Sequence, residues 1–199
     1  MKKTLCILTA CICCSTLAFA QQDFTKDITT AKTQYASGKL EEAHFALLQA
    51  LQEIDIRIGQ EVLKLLPQQM DTLKVNAKED NVSGTSGYVG TSIRRTYGVN
   101  RGGEITIISN SPLIGTLNAY LNTPVIGGMM TDGNTKIIRV QGYKGRMEKS
   151  QNSDGTLNYT VDIPMGNSLV TYKMSKTTDT QILKLVETLP LQQIAKLIQ

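Results

Sequence analysis

The sequence has no tryptophan, one histidine, five prolines and only 5% aromatic residues. Its four cysteines, Cys6, Cys11, Cys13 and Cys14, all fall within the first fourteen positions. From Ser15 onward there is no thiol, so that part of the chain has no disulfide, no cysteine nucleophile and no cysteine–histidine zinc site. The sole histidine, His44, lies in a helical stretch, and no G-x-S-x-G elbow occurs to carry a serine nucleophile. Ser83-Gly84 and Ser86-Gly87 read as turn residues. Strong charge of one sign is also missing: 21 basic and 17 acidic residues leave +4, far from the clustered basic stripe that tracks a phosphate backbone. We therefore expect no nucleic-acid partner.

Long apolar runs are scarce too. The one that exists, Leu5 to Leu17, is shorter than the roughly 20 residues that span a bilayer. It follows Lys2 and Lys3 and ends at Ala18-Phe19-Ala20, the order of a secretory signal with an A-x-A cleavage site. Residues 1–20 are thus expected to be a signal peptide, with Gln21 the new N-terminus and the product periplasmic or extracellular. Leu8-Thr9-Ala10-Cys11 offers a shorter alternative, a lipoprotein processing site that would anchor the chain through Cys11. With cleavage after Ala20 the whole cysteine cluster leaves with the leader, and stability must come from a hydrophobic core.

Charge is unevenly spread over the remainder. Residues 21–80 carry seven basic and ten acidic side chains, a balance of −3, and residues 81–199 carry twelve and seven, a balance of +5. Surfaces of opposite sign can orient a partner. The texture changes at the same boundary, which divides the chain into a helical hairpin region, 21–80, and an α+β domain, 81–199, or one continuous domain made of both.

In the first region, residues 25–37 lack strand alternation and stop at Gly38. Leu40, Ala43, Leu47, Leu51, Ile54, Ile58, Val62 and Leu65 then recur three or four apart and end at Pro67, which predicts a helix of about 25 residues with one apolar stripe. At 1.5 Å per residue such a helix is about 38 Å long, so it must pack along the rest of the protein or along another molecule. His44 beside the stripe reads as a packing or surface residue. Leu47, Leu51 and Ile58 are the candidate partner surface, and a homodimer would cover the helix.

Ala31 and Tyr35, Gly38-Lys39-Leu40 at the turn, Glu41-Glu42-Ala43 opening the second helix, and Leu47, Ala50 and Leu51 after it resemble one tetratricopeptide-like helical hairpin. Small Ala43 and Ala50 let two helices approach closely, and glycine lets the chain turn. The second helix runs past the length of such a repeat, and no second copy follows. What the resemblance implies is a helical hairpin and a tilt toward protein binding.

From Asn81 the residues become glycine, threonine, tyrosine and β-branched. Ser92 to Tyr97 reads as a strand, Arg101-Gly102-Gly103 as a turn and Glu104 to Ser109 as the strand's hairpin partner. Ser111-Pro112 opens a short helix to about Leu121, with Leu113, Leu117, Tyr120 and Leu121 on its apolar side. Thr123 to Asn134 reads as a loop. Strands are expected at Lys136 to Tyr143, at Gly145 or Arg146 to Ser150, at Thr156 to Ile163 and at Ser168 to Met174, with turns at Asn152-Ser153-Asp154-Gly155 and Pro164-Met165-Gly166-Asn167. Spacings this short require an antiparallel meander. Two helices, Asp179 to Leu189 and Pro190 to Ile198, close the chain and are expected against the apolar face of the sheet. The fold class is α+β, an N-terminal helical hairpin followed by an antiparallel sheet packed by a short internal helix and C-terminal helices.

Three functions are compatible with these residues. The first is a non-enzymatic exported envelope protein that binds another envelope protein or forms an assembly. The second is a small-ligand domain with a pocket between sheet and helices, Tyr88, Tyr97, Tyr143 or Tyr159 lying near its mouth. The third is an enzyme using carboxylates or a metal, for which Glu104, Asp132, Glu148, Asp154 and Asp162 are the dispersed acids. Asp132-Gly133-Asn134 lacks the remaining positions of a calcium loop, and the glycines at 84, 87 and 90 have neither the order nor the lysine of a phosphate loop. No cofactor is implied. One polar cluster stands out, in which Arg95, Arg101 and Arg146 would together contact a carboxylate or phosphate group.

Overall fold

The computed structural model describes residues 24–84, 90–123 and 133–198. Residues 1–23 with all four cysteines, Gly87, Tyr88 and Asp132 lie outside them. The chain forms two compact units that divide inside one helix, between Asp55 and Ile56, and not at the change of texture after residue 80. The reason lies in the second half of that helix, whose Val62, with Leu66 and Met70 beyond it, is a core member of the sheet domain.

In the first unit, helix α1 (24–36) and the opening of helix α2 (Leu40–Leu65) form a hairpin. The turn is set by Gly38, whose φ of +73° favours a residue without Cβ, and the Gly38 amide donates to the Tyr35 carbonyl at 3.0 Å. Ala31, Ala43, Ala46 and Ala50 are its buried residues.

The second unit is built on a seven-stranded antiparallel sheet. Its strands are β3 (Asn81–Ser83), β4 (Ser92–Tyr97), β5 (Gly103–Ser109), β6 (Thr135–Val140), β7 (Tyr143–Gln151), β8 (Leu157–Met165) and β9 (Ser168–Ser175), in the order β3-β4-β5-β9-β8-β7-β6. A two-stranded ribbon, β1 (Gln69–Met70) with β2 (Leu73–Lys74), precedes it. The two predicted pieces, a β4–β5 hairpin and a meander, are both present, and β5 joins them by pairing with β9 from Gly103↔Met174 to Ser109↔Ser168. Two turns are tighter than expected. Gln141 and Gly142, both at positive φ, close β6 onto β7, so Tyr143 opens the next strand; this is the twist-matched two-residue hairpin geometry. Gly166-Asn167 alone links β8 to β9, with Pro164 and Met165 inside β8.

Alternation gives the sheet two unlike faces. Ile93, Ile105, Ile107, Tyr159, Val161, Ile163, Val170 and Tyr172 point into the main core. There they meet Val62 of α2 and Leu66 just after it, Ile182 and Val186 of α4 (Asp179–Val186), and Leu191 and Ile194 of α5 (Leu191–Ile198). Thr178 caps α4 by accepting the Gln181 amide at 3.3 Å. The opposite face is mostly polar, and there α3 (Leu113–Asn122) buries Leu117 and Leu121 against Leu169. Leu113 is exposed, and Ile114 takes the packing place expected of it.

Candidate interaction surface

In the first unit the small and large apolar residues have exchanged their usual places. The alanines are inside, Ala50 being 2% exposed, while Leu47 is 46% and Leu51 56% exposed on the same helix. At about 100° per residue, Leu40, Leu47, Leu51 and Ile54 lie roughly 80° round α2 from the alanine stripe. On α1, Ile28 and Tyr35 lie about 50° from Ala31 in the same rotational sense. The two helices run antiparallel, so rotations of the same sense away from their contact line turn both sets toward one side of the hairpin. Ile28, Tyr35, Leu40, Leu47, Leu51 and Ile54, all exposed, therefore form one apolar face. The sequence stripe contained Leu40, Leu47, Leu51 and Ile54 but missed Ile28. The signal that could have found the face was the 43-46-50 alanine spacing, which fixes the side α2 turns toward α1.

Ile58 differs from its two predicted companions. It belongs to the second unit, where it packs against the main core, so its role there is burial. Hydroxyls line another strip of α1: Thr29, Thr33 and Ser37 each donate to the carbonyl four residues earlier, at 2.8–2.9 Å. They satisfy themselves within the helix.

The three arginines of the predicted anion contact are not brought together. Arg95, on β4, points to the core side, 6% exposed. Its Nε and Nη2 donate to Asp80 at 2.6–3.2 Å, and Nη1 donates to the Leu66 carbonyl at 2.9 Å. The hydrogen bonds its guanidinium donates to Asp80 push the Arg95 pKa up, against the cost of burial. Arg146, on β7, lies on the opposite face, where it pairs with Asp162 at 2.7 Å and Glu148 at 3.7 Å; Thr171 donates to the other Asp162 oxygen at 2.8 Å. Between β4 and β7 stand β5, β9 and β8, which at about 4.8 Å per strand step puts the two arginines roughly 19 Å apart across the sheet. Arg101, in the turn between β4 and β5, binds Glu79 at 3.2 Å. The Thr96 hydroxyl and Arg101 together hold that carboxyl below its usual range. Each cation thus has its own carboxylate, an arrangement that ties strands and turns together.

The tyrosines have structural partners as well. Tyr97 is fully buried and its hydroxyl donates to the Pro67 carbonyl at 2.8 Å; burial pushes its pKa up. Tyr159, also in the core, donates to Asp179, whose other oxygen accepts from Lys136 at 2.5 Å. Tyr143 is half-buried against the same core. Tyr97 and Tyr159 therefore fill the space between sheet and helices in place of lining a mouth. Among the acids, Asp154 is held below its usual range by the hydroxyl and amide of Thr156, and Glu104 binds Arg94 at 2.5 Å. Among the described residues no three histidine, cysteine or acidic side chains gather in a way that could hold a metal ion, and no helix is long and apolar enough to cross a membrane.

The chain matches no protein-family model and no curated protein sequence.

Proposed function

We propose that this chain is an exported protein of the bacterial envelope that works without catalysis, binding another protein or building an assembly through the apolar face of its N-terminal hairpin. The observation that carries the reading is the inversion within the hairpin: its alanines are buried, and Ile28, Tyr35, Leu40, Leu47, Leu51 and Ile54 meet solvent. Apolar side chains scattered singly over a surface need no explanation, but a contiguous set on one face is a contact surface or an aggregation hazard. The compartment rests on the leader-like order of residues 1–20.

The test is affinity capture from a detergent-treated envelope extract of the source organism, using the wild type and the Leu47→Ser/Leu51→Ser variant. Expected is a defined protein, another copy or a different chain, retained by the wild type and lost by the variant while the far-ultraviolet spectrum of both stays the same. Equal capture by the two proteins would overturn the reading.

A further inference from the structure

The pattern on this face says more about what covers it. Ile28 and Tyr35 on α1 lie seven residues apart, and Leu40, His44, Leu47, Leu51 and Ile54 on α2 follow a 4-3-4-3 spacing, the heptad rhythm of helices that interlock side by side. A two-helix hairpin with one apolar face is half of a four-helix bundle. From this we propose that the occupant is a second copy of this chain, with two hairpins stacked face to face on a twofold axis parallel to their helices. The inference rests on the reading of the hairpin face as a contact surface and names its partner.

Charge selects the arrangement. Helix α1 carries Lys26 and Lys32 against Asp27, a balance of +1, whereas Leu40–Asp55 of α2 carries Glu41, Glu42, Glu53 and Asp55 with no lysine or arginine, a balance of −4. A twofold axis along the helices sets α1 over α2 of the partner copy and joins unlike charge on both sides. A twofold axis across them would set α1 on α1 and α2 on α2, joining like charge. In the favoured arrangement every neighbouring helix pair is antiparallel, as in an up-down bundle. The area also suffices: the six exposed side chains offer on the order of 500 Å² of apolar surface per hairpin, so the pair buries roughly 1,000 Å² before rim atoms are added, the lower bound for a specific interface.

The experiment is sedimentation velocity on the full chain, purified as the cell processes it, over a concentration series. The proposal expects twice the chain mass at micromolar concentration, and association weakened roughly tenfold or more by Leu47→Glu/Leu51→Glu, with the tyrosine near-ultraviolet spectrum unchanged. In a mixture of ¹⁴N- and ¹⁵N-labelled protein, carbodiimide is expected to join lysines of α1 in one isotope to acids of α2 in the other. A single-chain mass at all concentrations overturns the dimer. If that monomer still captures a different envelope protein in a Leu47/Leu51-dependent way, only the choice of occupant fails; if it captures nothing, the contact-surface reading fails with it. A dimer that survives the double glutamate variant also overturns the proposal, because its interface then lies elsewhere.

Discussion

Arg95 illustrates how a residue that looks functional in sequence can be committed to the fold. Its guanidinium is buried, with all three nitrogens bonded to Asp80 or the Leu66 carbonyl, so it ties β4 to the chain just before β3 and to the residue that follows α2. Asp80→Ala would strand that charge, with an expected loss of about 3–5 kcal/mol in urea unfolding, while Arg95→Met with Asp80→Leu should recover most of it because no charge is left unpaired. Asp179 gives a milder, pH-dependent case. The hydrogen bond from Lys136, then that from Tyr159, holds its carboxyl below the usual range. A carboxyl with a depressed folded pKa adds stability above its ordinary value near 4 and loses it as pH falls through the folded value. The stability difference between wild type and Asp179→Asn, measured by urea unfolding from pH 7 to pH 2.5, should be largest at neutral pH and shrink below about pH 4. A difference that grows on acidification would contradict this assignment. The separation of Arg95 from Arg146 was not legible, because alternation along one strand says which side a residue faces but not how many strands separate it from another.

At the scale of elements, helix α2, the β4–β5 pair, α3 and the two closing helices were all legible, because periodicity and proline punctuation act over a few neighbouring residues. The residue before α3 is Pro112, which makes no side-chain cap, and Ser111 lies one position further out. Their α+β arrangement was legible too, since short turns force antiparallel neighbours. The β5–β9 pairing was not. It joins residues about 60 to 70 positions apart, and only their meeting in the fold selects the partner. The tight Gln141-Gly142 turn was hidden for a different reason: glutamine at positive φ is an uncommon choice, held here by its side chain, which donates to the carbonyls of Glu187 and Leu189. Gly59 carries a further element-scale prediction. A Cβ at this position would meet Val82 Cγ1 at 2.5 Å and Ile93 Cγ1 at 3.2 Å, so α2 approaches the β3–β4 end of the sheet only because the side chain is missing. Gly59→Ala should gain up to about 1 kcal/mol in helix propensity and lose about 1–3 kcal/mol to overpacking. The expected outcome is a net loss of stability, seen as a lower melting temperature. Gly59→Ala melting above the wild type would show that the contact relaxes freely.

For the molecule as a whole, one helix serves two purposes. Beyond Asp55 its apolar stripe is spent on the sheet domain, through Ile58, Val62 and Leu65; before it, the same periodicity leaves Leu47, Leu51 and Ile54 exposed. Sequence could not reveal this division, because hydrophobic spacing predicts that a stripe will be covered and is silent on whether the cover comes from the same chain. The consequence is a separation of phenotypes. Ile58→Glu should destabilise the sheet domain by about 2 kcal/mol or more, whereas Leu47→Glu/Leu51→Glu should leave its unfolding midpoint unchanged and abolish association. Equal destabilisation by both would mean that the hairpin face is buried within the chain itself.

The most direct test of the contact surface is photo-crosslinking in living cells, with a benzophenone amino acid placed at Ile54 and, as a control, at exposed Lys184. The account predicts a discrete protein adduct from position 54, whether with a second copy or with another chain, and none from position 184. Absence of any protein adduct at 54, with the probe incorporated and the protein folded, would contradict it.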